Sequence, residues 1–283
     1  MNGNTQKKSL RADPFSLVMR GLVWGAALLT AGVLLALIAY ILIRGVPNLK
    51  LSLFELEYNS ENVSMFPSIV MTIYMTVLTL IITTPLGIGC AIYLTEYAKR
   101  GNKVVEIIRL AAETLSGIPS IVYGLFGMLF FVTALQWKNS ILAGSCTLAI
   151  MVLPLIIRST EEALKSVPDS YREASFGLGA GKLRTVMRVV LPPAMPGIVA
   201  GVILAVGRIV GETAALIYTA GTVAKITANP MESARTLAVH MYALSSEGLH
   251  TSEAFATGVV LLLVVLMLNA TSNAIAKRIT KGK

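Results

Sequence analysis

Residues 167–193 read VPDSYREASFGLGAGKLRTVMRVVLPP, a polar stretch broken by glycines and flanked on both sides by long apolar runs. Pro168 and Asp169 suit a first helical turn, where a missing N–H costs nothing and an acid faces the positive end of the helix dipole. Tyr171, Ala174 and Leu178 then recur at helical spacing. Gly177, Gly179 and Gly181 interrupt that helix with a turn. Lys182 to Val190 reads as a second, basic amphipathic stretch that stops at Pro192-Pro193. This pattern fills most of a loop running from Arg158 to Pro196 and is too regular for a linker. Its flanks decide what such a loop can do.

Those flanks are membrane spans. A transmembrane helix needs about 20 mostly apolar residues, at ~1.5 Å rise each across a ~30 Å hydrocarbon core. Uncharged stretches of that length run from Gly21 to Ile43, Asn62 to Thr95, Thr114 to Trp137, Asn139 to Ile157 and Ala254 to Ala276. A sixth, from about Gly197 to Thr222, is interrupted only by Arg208 and Glu212. Continuous apolarity without inside/outside alternation excludes a barrel. Composition agrees: of 283 residues, 14% are charged, where a soluble domain carries roughly 25%. Mean hydropathy is +0.72. The expected fold is therefore an all-α integral membrane protein with six transmembrane helices, 21–276. The first run has an apolar core too long for a signal peptide and is expected to stay as an anchor.

Lys and Arg gather on one side of these spans, which orients the chain. With the N-terminus inside, the cytoplasmic side receives Lys7, Lys8, Arg11 and Arg20, then Lys99, Arg100, Lys103 and Arg109. It also receives Arg158, Lys165, Arg172, Lys182, Arg184 and Arg188, and finally Lys277, Arg278, Lys281 and Lys283. The outside keeps only Arg44, Lys50, Lys138, Lys225 and Arg235. Both termini are expected in the cytoplasm, as a tail over 1–20 and a basic tail over 277–283. The net charge of +9 is thus a topology signal, and no nucleic acid partner is expected. Cys90 and Cys146 sit inside apolar runs, and His240 and His250 are isolated in the last external loop. None of the four is expected to bind a metal or carry chemistry.

Arg208 and Glu212 are the charges inside a span. If that span enters near Gly197, Arg208 lies about 16 Å deep, close to the midplane. An arginine there costs at least ~2.5–3.5 kcal/mol, so it should face a partner or a wet cavity. Glu212, one turn on, can pair with it, and Gly207 and Gly211 leave room for a neighbouring helix or a solute. The pair either locks two helices together or lines a solute path. A guanidinium suits a tetrahedral oxyanion, because its fork makes two parallel hydrogen bonds. The carboxylate would neutralise it while the path is empty, weaken the site for release, and accept a hydrogen bond from a protonated phosphate oxygen.

The central loop resembles a known one. Glu173-Ala174-Ser175, three residues, Gly179, nine residues, then Val189-Val190-Leu191-Pro192 is similar to the "EAA" loop of ABC-importer permeases. Ser175 replaces Ala and Val189 replaces Ile of that pattern. The resemblance implies the type I, MetI-like transmembrane fold, with its core over about 62–276 and a cytoplasmic coupling loop over 158–196. It also implies that Glu173, Ala174, Ser175, Gly179, Leu191 and Pro192 couple the spans to a separate ATPase. Gly177 to Lys182 imitates a phosphate-cradling loop, but Phe176 stands where its first Gly is needed and Leu183 where Ser or Thr is needed. No cofactor is expected in this chain, and ATP is to be used by the partner.

Ser116-Gly117-Ile118-Pro119-Ser120-Ile121-Val122-Tyr123-Gly124 and Gly207 to Thr213 resemble segments of the phosphate-importer permeases, the PstA and PstC pair. Chain length, a short N-terminal tail and six spans resemble the PstA family more than its partner. The likeness runs from about Arg20 to Lys277. It implies a heterodimer with a PstC-type permease, two PstB-type ATPase subunits and a PstS-type phosphate-binding protein, at a bacterial cytoplasmic (inner) membrane. The path for inorganic phosphate is then expected at Arg208, Glu212 and Thr213. Pro119 and its glycines read as a broken helix start at the membrane surface, tolerated only where protein or water covers it. A permease for sulfate or molybdate stays open as an alternative. So does an ion-coupled secondary transporter, although no paired broken helices repeat in the two halves and the Glu173 loop would be unexplained.

Overall fold

The computed structural model describes residues 14–99 and 101–281, and the regular structure in them is helical. Lys7, Lys8, Arg11, Arg100 and Lys283 lie outside the described residues, as does most of the 1–20 tail. The first helix, α1, spans Pro14–Gly45, and α2 spans Phe66–Ile92 and continues as a wider π-type turn to Tyr97. Next come α3 (Lys103–Ser116) and α4 (Ser120–Gly127, extended by another π-type turn to Ala134). The central helix, α5, spans Ile141–Lys165. The loop follows as α6 (Asp169–Gly177) and α7 (Lys182–Thr185), and α7 runs through a π-type turn, Val186–Val190, into α8 (Leu191–Val210). The chain ends with α9 (Ala214–Thr219), α10 (Leu237–Glu247) and α11 (Thr251–Lys281).

Among the described residues, five helical stretches are long and apolar enough to cross a membrane, and a sixth crossing exists if the bent pair α3–α4 counts as one. The bend is 106°, and it falls where Gly117 and Pro119 were expected to break a helix. Pro119 takes an extended ψ of 142° and starts α4 at Ser120, so the third span is shorter than the run from Thr114 to Trp137. The Tyr123 hydroxyl donates to the Leu115 carbonyl at 2.6 Å and pins the two arms together.

Two further expectations need correction. The basic stretch after Lys182 does not stop at Pro192-Pro193. The π-type turn gives Leu191 N–H a bond to the Val186 carbonyl, so the prolines fall at the first turn of α8, where their missing donors and rings are tolerated. The run to Thr222 is likewise not one helix. It ends at Val210, turns through Gly211 to Thr213, and resumes as the short α9.

The core forms around α5, which packs against α2 and α8. Met75, Leu148, Met151, Ile156, Ile209 and Leu216 are fully buried there. Small residues let backbones approach, as they must where no hydrophobic drive separates helix from lipid. A Cβ on Gly201 would overlap the Ser159 side chain, and one on Gly197 would press on Ala163. These contacts set α8 antiparallel to α5. At the periphery α1 packs on α11, with Gly45 against Phe255 and Ile41 beside Gly258. The start of α1 and the end of α11 therefore lie at the same end of the bundle. Most of α1 is exposed, which suits a lipid-facing helix.

At the opposite end, α10 caps the bundle. His240 is fully buried there, edge-on to Tyr58, whose ring carries the Arg235 guanidinium 4.5 Å from its centre. Burial, reinforced by Arg235, pushes the His240 pKa from 6.5 down to about 3. Between these values the unfolded chain binds a proton that the folded chain does not, so stability is lost as pH falls through that window. The unfolding temperature in detergent should drop as pH goes from about 7 to about 4, and His240→Gln should flatten that profile. Equal pH sensitivity in the wild type and the variant would contradict this.

Candidate functional site

Arg208 occupies the last turn of α8, where a cation faces the negative end of the helix dipole. The contacts of Gly197 with Ala163 and of Gly201 with Ser159, carried on in the same antiparallel register, set residue 208 level with Val152, deep within α5. Arg208 is half-buried and borders a cavity of about 410 Å³ between α3, α5 and α8. Ser116, Met151, Pro154 and Leu155 line the same space, which opens past Arg109, Arg158, Glu161 and Lys165 toward the end of the bundle that carries the α6 loop. The two segments that resemble phosphate permeases, 116–124 and 207–213, thus contribute Ser116 and Arg208 to one cavity.

Charges around this cavity are largely paired with one another. Glu161 accepts from Arg109 at 2.7 Å and pairs with Lys165 at 3.3 Å, while Arg158 meets Glu162 at 3.1 Å. Arg208 makes no ion pair within 4 Å among the described residues. The expected pairing with Glu212 does not form, because the helix ends at Val210 and Glu212 no longer sits one turn above Arg208. Instead the Glu212 carboxylate accepts the Ala215 N–H at 3.1 Å and caps α9. Glu212 is buried and Thr213 half-buried in this turn, and neither borders the cavity. Ala214 and Ala215 press against Gly124 of α4, where a Cβ would meet their backbone. The turn is therefore held from both sides.

The loop residues divide by exposure. Glu173, Ala174 and Gly179 face solvent on α6 and its following turn, and Leu178 at the tip is 90% exposed. Gly179 has φ +78°, the left-handed conformation that ends a helix and that glycine adopts without strain. Ser175 is buried and shares a 2.8 Å hydroxyl–hydroxyl hydrogen bond with Thr185, which folds α7 back on α6. Leu191 is half-buried against the apolar cluster that includes Ala163, Leu164 and Ile198, and Pro192 beside it is also half-buried. Two residues that sequence reasoning missed complete the region. Arg172 pairs with Glu96 at 2.7 Å, although 76 positions separate them. The one signal for Glu96 was an acid closing an otherwise uncharged apolar run.

The family of binding-protein-dependent transport system inner membrane components matches residues 83–282. The probable ABC transporter permease YqgI of Bacillus subtilis is 36% identical over 273 residues, covering 90% of this chain and 92% of the relative. Phosphate transport system permease PstA of Yersinia pestis is 42% identical over 139 residues, covering 49% of this chain and 46% of the relative. PstA 1 of Mycobacterium tuberculosis H37Rv is 39% identical over 141 residues, 50% of this chain and 45% of the relative. The chain aligns with only about half the length of these PstA relatives. In fold, it is similar to a bacterial alginate ABC transporter in complex with its pentasaccharide-bound periplasmic protein. That similarity has a TM-score of 0.66 and 17% identity, over 93% of this chain and 97% of that one. The MetNI methionine ABC transporter gives a TM-score of 0.59 and 21% identity over 76% and 94% of the two chains. With a family match over most of its length and a transporter fold throughout, the chain belongs to the inner membrane components of binding-protein-dependent transport systems, and it is a permease subunit, not an enzyme.

Proposed function

We propose that this chain is the permease subunit of an ATP-driven phosphate importer and forms part of the path for inorganic phosphate across the bacterial cytoplasmic membrane. The observation that carries the reading is Arg208, a half-buried cation without a carboxylate partner among the described residues, at the deep end of an open cavity. A guanidinium so placed can bind a tetrahedral oxyanion through two parallel hydrogen bonds. The names of the PstA relatives point the cargo toward phosphate. Glu212 and Thr213 act beside Arg208 by shaping the turn that ends its helix.

In this reading the partners are a PstC-type permease, two PstB-type ATPase subunits and a PstS-type phosphate-binding protein. The chain binds no ATP itself. The loop over 158–196 faces the cytoplasm, as do both termini, and α6 docks on the ATPase through Glu173, Ala174 and the exposed Leu178. Gly179 sets the angle of that helix, Ser175 braces it through Thr185, and Leu191 and Pro192 seat its far end on the bundle. Closure of the ATPase dimer pushes α6 and turns the path from one face of the membrane to the other.

The test is reconstitution in liposomes with the second permease, the ATPase and the binding protein. Uptake of labelled phosphate, driven by ATP and exceeding that of sulfate and molybdate, is the expected result. Preferential sulfate or molybdate uptake would overturn the cargo. Uptake that persists without the ATPase under an ion gradient would overturn the whole reading.

A further inference from the structure

Arg172 precedes the exposed Glu173 on α6, yet its side chain turns the other way, into the bundle. Its guanidinium donates from Nε and Nη2 to the Glu96 carboxylate, at 3.2 and 2.7 Å. From Nη1 it donates to the Val167 carbonyl at 2.8 Å and to Asp169 at 3.1 Å, and from Nη2 to the Leu164 carbonyl at 2.9 Å. The side chains of Arg172 and Glu96 are only 14% and 7% exposed. Glu96 sits in the π-type turn that ends α2. Leu164 and Val167 lie at and just past the end of α5, where helix carbonyls run out of intrahelical donors. One side chain thus ties three elements together.

A second contact joins the same places. Lys182, at the start of α7, lies over the Tyr97 ring, 5.1 Å from its centre, and Tyr97 closes the turn that holds Glu96. Without such ties, α6 would be joined to α2 and α5 only through the short link Ser166, Val167 and Pro168 and through its packing on α7 and the turn after it. Nine residues are too few to hold a helix in place unaided. A lever transmits force only if its joint is stiff. We infer that Arg172 is the positioning residue that joins the Glu173 helix rigidly to the ends of α2 and α5, so that a push on α6 moves those two spans. The inference rests on the proposed coupling of α6 to an ATPase. It adds that coupling depends on a face of α6 that the ATPase does not touch.

The guanidinium is suited to this task because its five donors lie in one plane and reach two carboxylates and two carbonyls together. A lysine ammonium could keep the Glu96 pair but could not span all four acceptors. The experiment uses the importer reconstituted with its partners, and it measures phosphate transported per ATP hydrolysed, together with the amount of ATPase that co-purifies. Arg172→Ala should keep the ATPase bound and lower the ratio about tenfold, within the ~5–150-fold range of coupling between distant sites. Glu96→Gln should lower it in the same direction, and Arg172→Lys should fall between wild type and Arg172→Ala. A wild-type ratio in Arg172→Ala would overturn the inference. Loss of the ATPase from that variant would also overturn it, by making Arg172 a docking residue. Should Arg172→Ala fail to insert, Glu96→Gln decides by the same two readings. A wild-type protein that binds no ATPase would instead overturn the proposed function itself, so the two failures are distinguishable.

Discussion

Replacing residues 169–181 by a flexible Gly/Ser linker is expected to abolish phosphate uptake while leaving the protein inserted in the membrane. Insertion is secured by the apolar runs that form α1, α2, α5, α8 and α11, none of which includes this segment. Transport is different, because the segment presents Glu173 and the tip residue Leu178 away from the bundle. In the proposed function the partner ATPase does the work, and this exposed segment is where the chain receives it. The replacement also removes Arg172 and with it the joint to Glu96. Uptake into vesicles should fall to background, and ATP hydrolysis by the complex should no longer respond to the binding protein. Protease protection or cysteine labelling checks insertion. Uptake retained with the linker in place would count decisively against α6 as the coupling element, and so would labelling that put the segment outside the cell.

Arg208→Gln should give the second largest effect, and it acts in the last turn of α8, away from the α6 segment. Hydrogen bonds to a charged partner contribute about 1.5–3 kcal/mol each. Every ~1.4 kcal/mol is tenfold in affinity. Loss of the guanidinium is therefore expected to lower uptake at limiting phosphate about 10- to 100-fold. Arg208→Lys should recover part of it, since a point charge attracts phosphate without making the forked pair. The concentration dependence of labelled uptake, run beside sulfate as competitor, measures both. Because Arg208 is remote from α6, ATPase binding should not change. Wild-type uptake and selectivity in Arg208→Gln would remove this residue from the path.

Most of the architecture was legible from hydropathy because a membrane span must satisfy its backbone within its own helix, so apolar length alone marks it. The break at Gly117 and Pro119 was legible for an equally local reason. What local reasoning misplaced were helix ends. Pro192 and Pro193 look like a stop, yet the preceding π-type turn absorbs them, and that turn depends on how Val186 and Val190 are buried. Arg208 and Glu212 look like partners at helical spacing, but the helix ends between them because α9 must pack against α4 and α5.

The sequence by itself determined the number of apolar runs, the side bias of the basic residues, the helix–turn–helix pattern of the loop and the place of Glu173 and Gly179 within that pattern. These follow from composition and from contacts a few residues apart. Only the tertiary structure decided that Ser116 and Arg208 border one cavity, that Glu212 caps α9, and that Arg172 reaches Glu96 and the end of α5. Each of these joins groups far apart along the chain or depends on where a helix stops. Such relations are set by helix packing, and no local pattern of residues encodes them.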